Sequence, residues 1–253
     1  MMILARGGLA ARLASDDADL KAAQRLRYSG FVAGRGAAAQ GARAAGLDAD
    51  RLDRICAHML VEDRATGALI CCFRMLPLRS GAEIGRSYSA QFYDLAGLRA
   101  YPAPMIEIGR FCVHEAWRRE PGVIRLAWMA LAAHVEARGA GMLFGCSSFE
   151  GIDAGAYTDA FALLKARHLA PARWRPRAKA PKVFPFARRL RSRRPEMRRA
   201  LMTMPPLLRA YLAMGGWVSD HAVVDEDLGT LHVFTGLEVA RAARMRARLL
   251  RGG

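Results

Sequence analysis

Glu107-Ile108-Gly109-Arg110-Phe111-Cys112-Val113-His114 is the stretch on which the reading of this chain turns. It sets a carboxylate and a guanidinium three residues apart inside an apolar run, and Met105, Ile106, Ile108, Phe111 and Val113 give that run the character of a strand. Desolvating an unpaired ion is costly, so charges on a buried strand need partners or a polar cavity. Side chains alternate along a strand, which predicts Glu107 and Arg110 on opposite faces. Three readings stand: a polar cleft cut into a sheet, an exposed edge strand, or two structural ion pairs.

Downstream, Pro121 and Gly122 open a helix that runs through Arg138 and closes at Gly139, and Met142 to Ser147 reads as a short apolar strand. Strand, helix and strand in this order predict a crossover unit with a ligand site near the strand ends. Phe161 to His168 is a further short helix. Upstream, Ile55–Val61 and Leu69–Leu76 predict a hairpin over Glu62–Gly67. Leu9–Ala14 reads as a first strand; Ser15, Asp16 and Asp17 then offer caps to an amphipathic helix over Asp19–Phe31. Residues 33–47 read as a Gly/Ala-rich loop and residues 80–103 as irregular. Leu201–Ala213 predicts a helix, Leu231–Phe234 a late strand, and Leu237–Arg251 a closing helix with Arg241, Arg244, Arg248 and Arg251 on one face.

At 253 residues the chain is long enough to bury a substantial core. Its 39 basic residues outnumber 23 acidic ones, giving +16 and an isoelectric point near 10.7. That field favours an anionic partner: nucleic acid, an anionic membrane or an acidic protein. Much of the excess lies in residues 173–199, where twelve of 27 residues are Lys or Arg against one acid, Glu196, interleaved with Trp174, Phe184 and Phe186. The five cysteines are odd in number and include no C-x-x-C pair, which suits reduced thiols packed as small hydrophobes and predicts no metal site. Met1–Leu13 carries Arg6 and Arg12 and no long apolar core, so no secretory signal is expected. No run of about 18 uncharged apolar residues occurs, so no membrane span is expected.

Five pieces carry a family likeness: Arg27-Tyr28-x-x-Phe31; Asp53 with Cys56 and His58; Arg74-Met75-Leu76-Pro77; Glu107-x-x-Arg110-x-x-Val113-His114; and Phe144-Gly145-Cys146-Ser147-Ser148-Phe149. In this order the chain resembles the ornithine acyl-carrier-protein N-acyltransferases of bacterial ornithine-lipid synthesis, GNAT-like enzymes related to the acyl-homoserine-lactone and N-acyl amino acid synthases. Pro205-Pro206-Leu207-Leu208-x-x-Tyr211-Leu212 and Val223-Val224-Asp225 resemble the family's C-terminal part. Val32-Ala33-Gly34-Arg35 stands where relatives carry acids, and Ala57 where they often carry Asp. Arg118-Arg119-Glu120-Pro121-Gly122 replaces the glycine-rich pyrophosphate loop of typical GNAT enzymes, and a helix N-terminus there can still receive one phosphate.

The resemblance implies an α/β (α+β) GNAT-like fold, a central mixed twisted sheet flanked by helices, with residues 1–170 as the core. Residues 171–200 would be a basic segment, and 201–253 helices and a late strand completing the same domain. It implies transfer of a 3-hydroxyacyl chain from acyl carrier protein to the α-amine of L-ornithine, giving lyso-ornithine lipid. No cofactor would be bound by the protein; the donor is the carrier's phosphopantetheine arm. Glu107 is expected as the base and Arg110 as a second catalytic residue, with Asp53 and Asp50 holding the cationic acceptor and Arg27, Arg74 or Arg110 clamping its carboxylate. Phe31, Ser147 and Ser148 are expected to line the substrate. The bland readings are a Glu107 ion pair, Asp53 capping a turn, and Cys146 simply packing. Arg188, Arg189, Arg191, Arg193 and Arg194 are expected to meet the carrier protein or the anionic inner-membrane surface, in a cytoplasmic protein that is peripheral on that membrane, with no nucleic acid as partner. An N-acyl amino acid or acyl-homoserine-lactone synthase, and a basic adaptor without catalysis, remain as alternatives.

Overall fold

Alternating and continuous apolar runs make this a sheet protein covered by helices. The computed structural model describes residues 3–33 and 46–242, and these fall into two units, residues 1–77 with 108–139 and residues 78–107 with 140–253.

In the first unit β1 (Ile3–Arg6), β2 (Leu9–Leu13), β3 (Ala57–Asp63) and β4 (Leu69–Leu78) form an antiparallel ladder. The β1–β2 hairpin, unforeseen in the sequence reading, turns on Gly7-Gly8, where Gly7 takes φ +59°. Nearly every residue of β4 is buried, the signature of a strand covered on both faces. Helix α1 (Asp17–Phe31) starts at Asp16, whose carboxylate accepts from Asp19 N at 2.9 Å. It buries Ala23 and Leu26 against Leu60, Cys72 and Cys112. A side chain at Gly30 would collide with the Cys112 sulfur, so helix and strand approach closely there. Helix α2 (Pro121–Ala137), with Pro at its first turn and Gly139 at φ +57° beyond its end, packs on β1, β2 and β3.

Strand β6 (Met105–Val113) spans the residues expected of it; residues 108–113 count with the first unit and residues 105–107 with the second. The second unit also holds the short β5 (Tyr93–Asp94), within the stretch expected to be irregular. Its β7 (Met142–Glu150) pairs along its whole length with β12 (Thr230–Glu238). Both strands outrun the sequence expectation, because Ser148, His232, Thr235 and Gly236 break the apolar pattern without breaking the ladder. Leu237 and Glu238 therefore belong to a strand, not to the closing helix; the rest of that helix beyond residue 242, like most of the 33–47 loop, lies outside the described residues.

Helix α3 (Thr158–Arg167), β8 (Arg177–Ala178), β9 (Val183–Phe184), α4 (Phe186–Arg189), α5 (Met197–Thr203), α6 (Pro206–Ala213), β10 (Trp217–Val218) and β11 (Ala222–Asp225) complete this unit. The helix expected over 201–213 is two helices, because Pro205-Pro206 forces Met204 into extended backbone. Phe149, Phe161, Phe186, Leu208 and Val233 share one core, with Phe161 and Phe186 stacked at 5.1 Å. The basic 173–199 stretch is thus anchored by its own aromatics: Phe186 is fully buried, and Trp174 lies edge-on to Tyr101 beneath the Arg173 guanidinium.

Candidate active site

Two buried polar clusters stand out, one in each unit. In the first, helical spacing brings Gln24 and Arg27 of α1 to one face, and Arg74 of β4 and Arg110 of β6 join them around three aspartates. Arg27 donates to Asp53 through both terminal nitrogens, at 3.0 and 2.7 Å, and through Nε to Asp48 at 3.0 Å; it also donates to the Asp48 carbonyl. Arg74 donates to Asp50 at 2.6 and 2.8 Å and to Asp53 at 2.8 Å. Arg110 donates through Nε to Asp48 at 3.1 Å and pairs with Asp50 at 3.7 Å. Gln24 donates to Asp53 at 3.0 Å, and the His58 ring meets the Asp53 carbonyl at the same distance.

Three guanidiniums and three carboxylates thus cancel inside the unit. Burial alone would raise the Asp53 carboxyl, but Arg27, Gln24 and Arg74 outweigh it and hold it well below the usual carboxylate range. Asp50 is lowered in the same way, burial being outweighed by Arg74 and Arg110. Burial holds His58 below its ordinary value, so it stays neutral. The cluster is graded in exposure. Side chains of Arg27, Asp48, Asp53 and Arg74 are between 1 and 4% exposed, whereas Arg110 reaches 11% and Asp50 29%. Arg110 also has φ 53°, the only non-glycine residue among those described with left-handed backbone. Such a conformation costs about 1 kcal/mol, and here it re-aims the strand at the charged cluster.

The second cluster surrounds Glu107. Its Oε2 accepts from Tyr88 N at 2.8 Å, and its Oε1 from Ser89 N at 2.8 Å and Ser89 Oγ at 2.6 Å. Glu107 is 4% exposed. Ser89 Oγ also lies 3.5 Å from Cys146 Sγ. Nearby, Tyr93 donates to the His232 carbonyl at 2.8 Å and its oxygen meets His232 Nδ1 at 3.1 Å. Burial, with a smaller contribution from His221, holds His232 down to about 4.

The structure therefore gathers Arg27, Asp50, Asp53, Arg74 and Arg110 at one place. Glu107 accepts from the 88–89 turn. Ser147 is buried, accepting from Thr235 Oγ1 at 2.9 Å, while Ser148 is exposed. Phe31 packs on the α1 core. Arg193 pairs with the buried Asp159 at 2.9 Å and Arg189 covers Phe184, whereas Arg188, Arg191 and Arg194 are exposed. The sequence reading missed Asp48, Gln24 and Ser89. Asp48-x-Asp50-x-x-Asp53 is a visible acidic run, but Ser89 sits in a stretch without periodicity.

Residues 26–129 match the acetyltransferase (GNAT) domain family. The backbone is similar to that of an N-acyl amino acid synthase from uncultured soil microbes, with a TM-score of 0.52 over 92% of both chains at 9% identity. A GNAT-type acyltransferase is the class this fold defines. The chain is 37% identical over 228 residues to the L-ornithine Nα-acyltransferase of Rhodobacter capsulatus, covering 88% of this chain and 86% of that one. To the enzyme of the same name from Brucella abortus it is 32% identical over 249 residues, covering 95% and 88%. It belongs to the L-ornithine Nα-acyltransferase family.

Proposed function

We propose that the protein transfers a 3-hydroxyacyl chain from acyl carrier protein to the α-amine of L-ornithine, the first step of ornithine-lipid synthesis. The observation that carries this reading is kinship, over 88% of the chain, with an enzyme named for acyl transfer to the α-amine of L-ornithine. Ornithine offers one carboxylate and two amines, so it needs a guanidinium and a carboxylate to hold it. Asp50 and Arg110 are the members of the ion cluster with surface left for a ligand. Arg110 takes the acceptor carboxylate and Asp50 its side-chain ammonium, while Arg27, Asp48, Asp53 and Arg74 form the frame that fixes them.

The α-ammonium must shed a proton before nitrogen attacks the thioester carbon. As the C–N bond forms and the C–S bond breaks, one proton ends on the departing pantetheine thiol and the other on a base. Glu107 is that base in this reading, reached through the Ser89 hydroxyl that already donates to it. Two backbone N–H donors hold its carboxylate in place beside that hydroxyl. The exposed Arg118 and Arg119 before the N-terminus of α2 suit the phosphate of the carrier's arm, and the net charge of +16 draws in an acidic carrier.

Incubating the purified full chain with 3-hydroxyacyl carrier protein and a panel of amino acids tests this. Mass spectrometry should find Nα-acylornithine as the main product. No acylated amino acid would remove the enzymatic reading, and preference for another acceptor would remove ornithine.

A further inference from the structure

Helix α5 turns Ala200 inward, where it is fully buried, and presents Met197, Leu201 and Met202 outward at 38, 44 and 75% exposure. Three large apolar side chains standing in water on a seven-residue helix are unusual, since single exposed hydrophobes are ordinary but clusters mark contact surfaces. Guanidiniums surround them. Arg198 lies between Leu201 and Met202 on the outward arc, and Arg191 and Arg194 precede the helix, all exposed. Among the described residues none of these three arginines makes an ion pair. Of the acids nearby, Glu196 is engaged in capping α5, accepting from the Arg198 and Arg199 backbone at 2.8 Å each, and the buried Asp159 pairs with Arg193 and Arg199.

We propose that α5 with the preceding loop is a docking patch for an anionic lipid bilayer. Apolar tips enter the boundary between headgroups and acyl chains, while guanidiniums on long stems reach the phosphates beside them. Charge complementarity selects this occupant: the patch has unneutralised positive charge around its apolar centre, the arrangement that a negatively charged, apolar-cored surface matches. An acidic protein would satisfy the arginines, but a 75%-exposed Met202 projecting among them suits a fluid interior better than a folded, charged surface. This deepens the proposed function, which ends in a lipid product, yet it is read on the protein alone, without acyl donor or ornithine. Failure of either experiment therefore leaves the other interpretable.

The test is flotation of the full chain with phosphatidylcholine vesicles, with and without phosphatidylglycerol. Binding should need phosphatidylglycerol. R191Q/R194Q/R198Q should weaken it on the order of a hundredfold, about fivefold for each charge. L201Q/M202Q should weaken it about tenfold with the charges intact. Melting curves confirm folding, which these exposed sites leave unchanged. Absence of vesicle binding overturns the proposal. So does full binding by L201Q/M202Q, which would mean simple charge adsorption. Binding of an acidic carrier protein through these residues, with no binding to vesicles, overturns it as well.

Discussion

In the first unit three guanidiniums and three carboxylates balance one another around Asp53, whereas in the second the Glu107 carboxylate accepts from two backbone N–H groups and a hydroxyl. The first arrangement is a closed ledger of charge. Each ion is tolerable in the interior only because its partners are present, so the cluster is stiff and removing one member strands the others. In the second, backbone N–H groups and a hydroxyl orient the carboxylate. The proposed frame and the proposed proton acceptor thus rest on different kinds of contact.

The severest way to break the contrast is D53A. It deprives Arg27 and Arg74 of their shared partner in a buried site, and unfolding measurements should show a loss of about 3–5 kcal/mol. A loss under 1 kcal/mol would mean the cluster is not a frame. D50N sharpens the comparison at the exposed end of the same cluster. Asn still caps the turn in which Asp50 accepts from Leu52 N, so the fold should hold, while KM for ornithine should rise about tenfold, near 1.4 kcal/mol, with kcat little changed. An unchanged KM would take Asp50 out of acceptor binding.

The mildest test concerns the second unit. The native state holds His232 neutral down to about pH 4, whereas an unfolded imidazole titrates near 6.5. Its folded value is depressed, so the unfolded chain binds more protons between these values. Stability should therefore be fullest above about pH 6.5 and fall by up to about 1.4 kcal/mol per pH unit towards 4. H232F, which can keep the edge contact with Phe92, should flatten that slope, read from denaturant midpoints across this range. An unaltered slope would assign the acid sensitivity to other groups.

Much of this was legible beforehand. The apolar run from Met105 to Val113 announced its strand, and the Pro121 and Gly139 signals framed α2, because local chemistry decides such elements. The charged members of the first cluster were also visible on α1, β4 and β6. Their pairing was not, since which aspartate meets which arginine depends on how strands and helix stack. Asp48 was hidden by a Gly/Ala-rich neighbourhood that reads as plain loop, yet its one carboxylate oxygen joins Arg27 to Arg110. Ser89 gave no signal, because a short turn has no period. Phe184 and Phe186 are spaced among arginines without a period that would mark a core; only the packing with Phe161 shows that they anchor the segment.

In the proposed reaction Glu107 takes up the proton shed by the attacking amine. Its most direct test is kcat for E107Q at saturating ornithine and acyl carrier protein, on a variant whose melting curve shows it folded. A fall on the order of a hundredfold or more is expected, with S89A reproducing part of it. Wild-type turnover by a folded E107Q would contradict it and leave Glu107 as the anchor of the 88–89 turn.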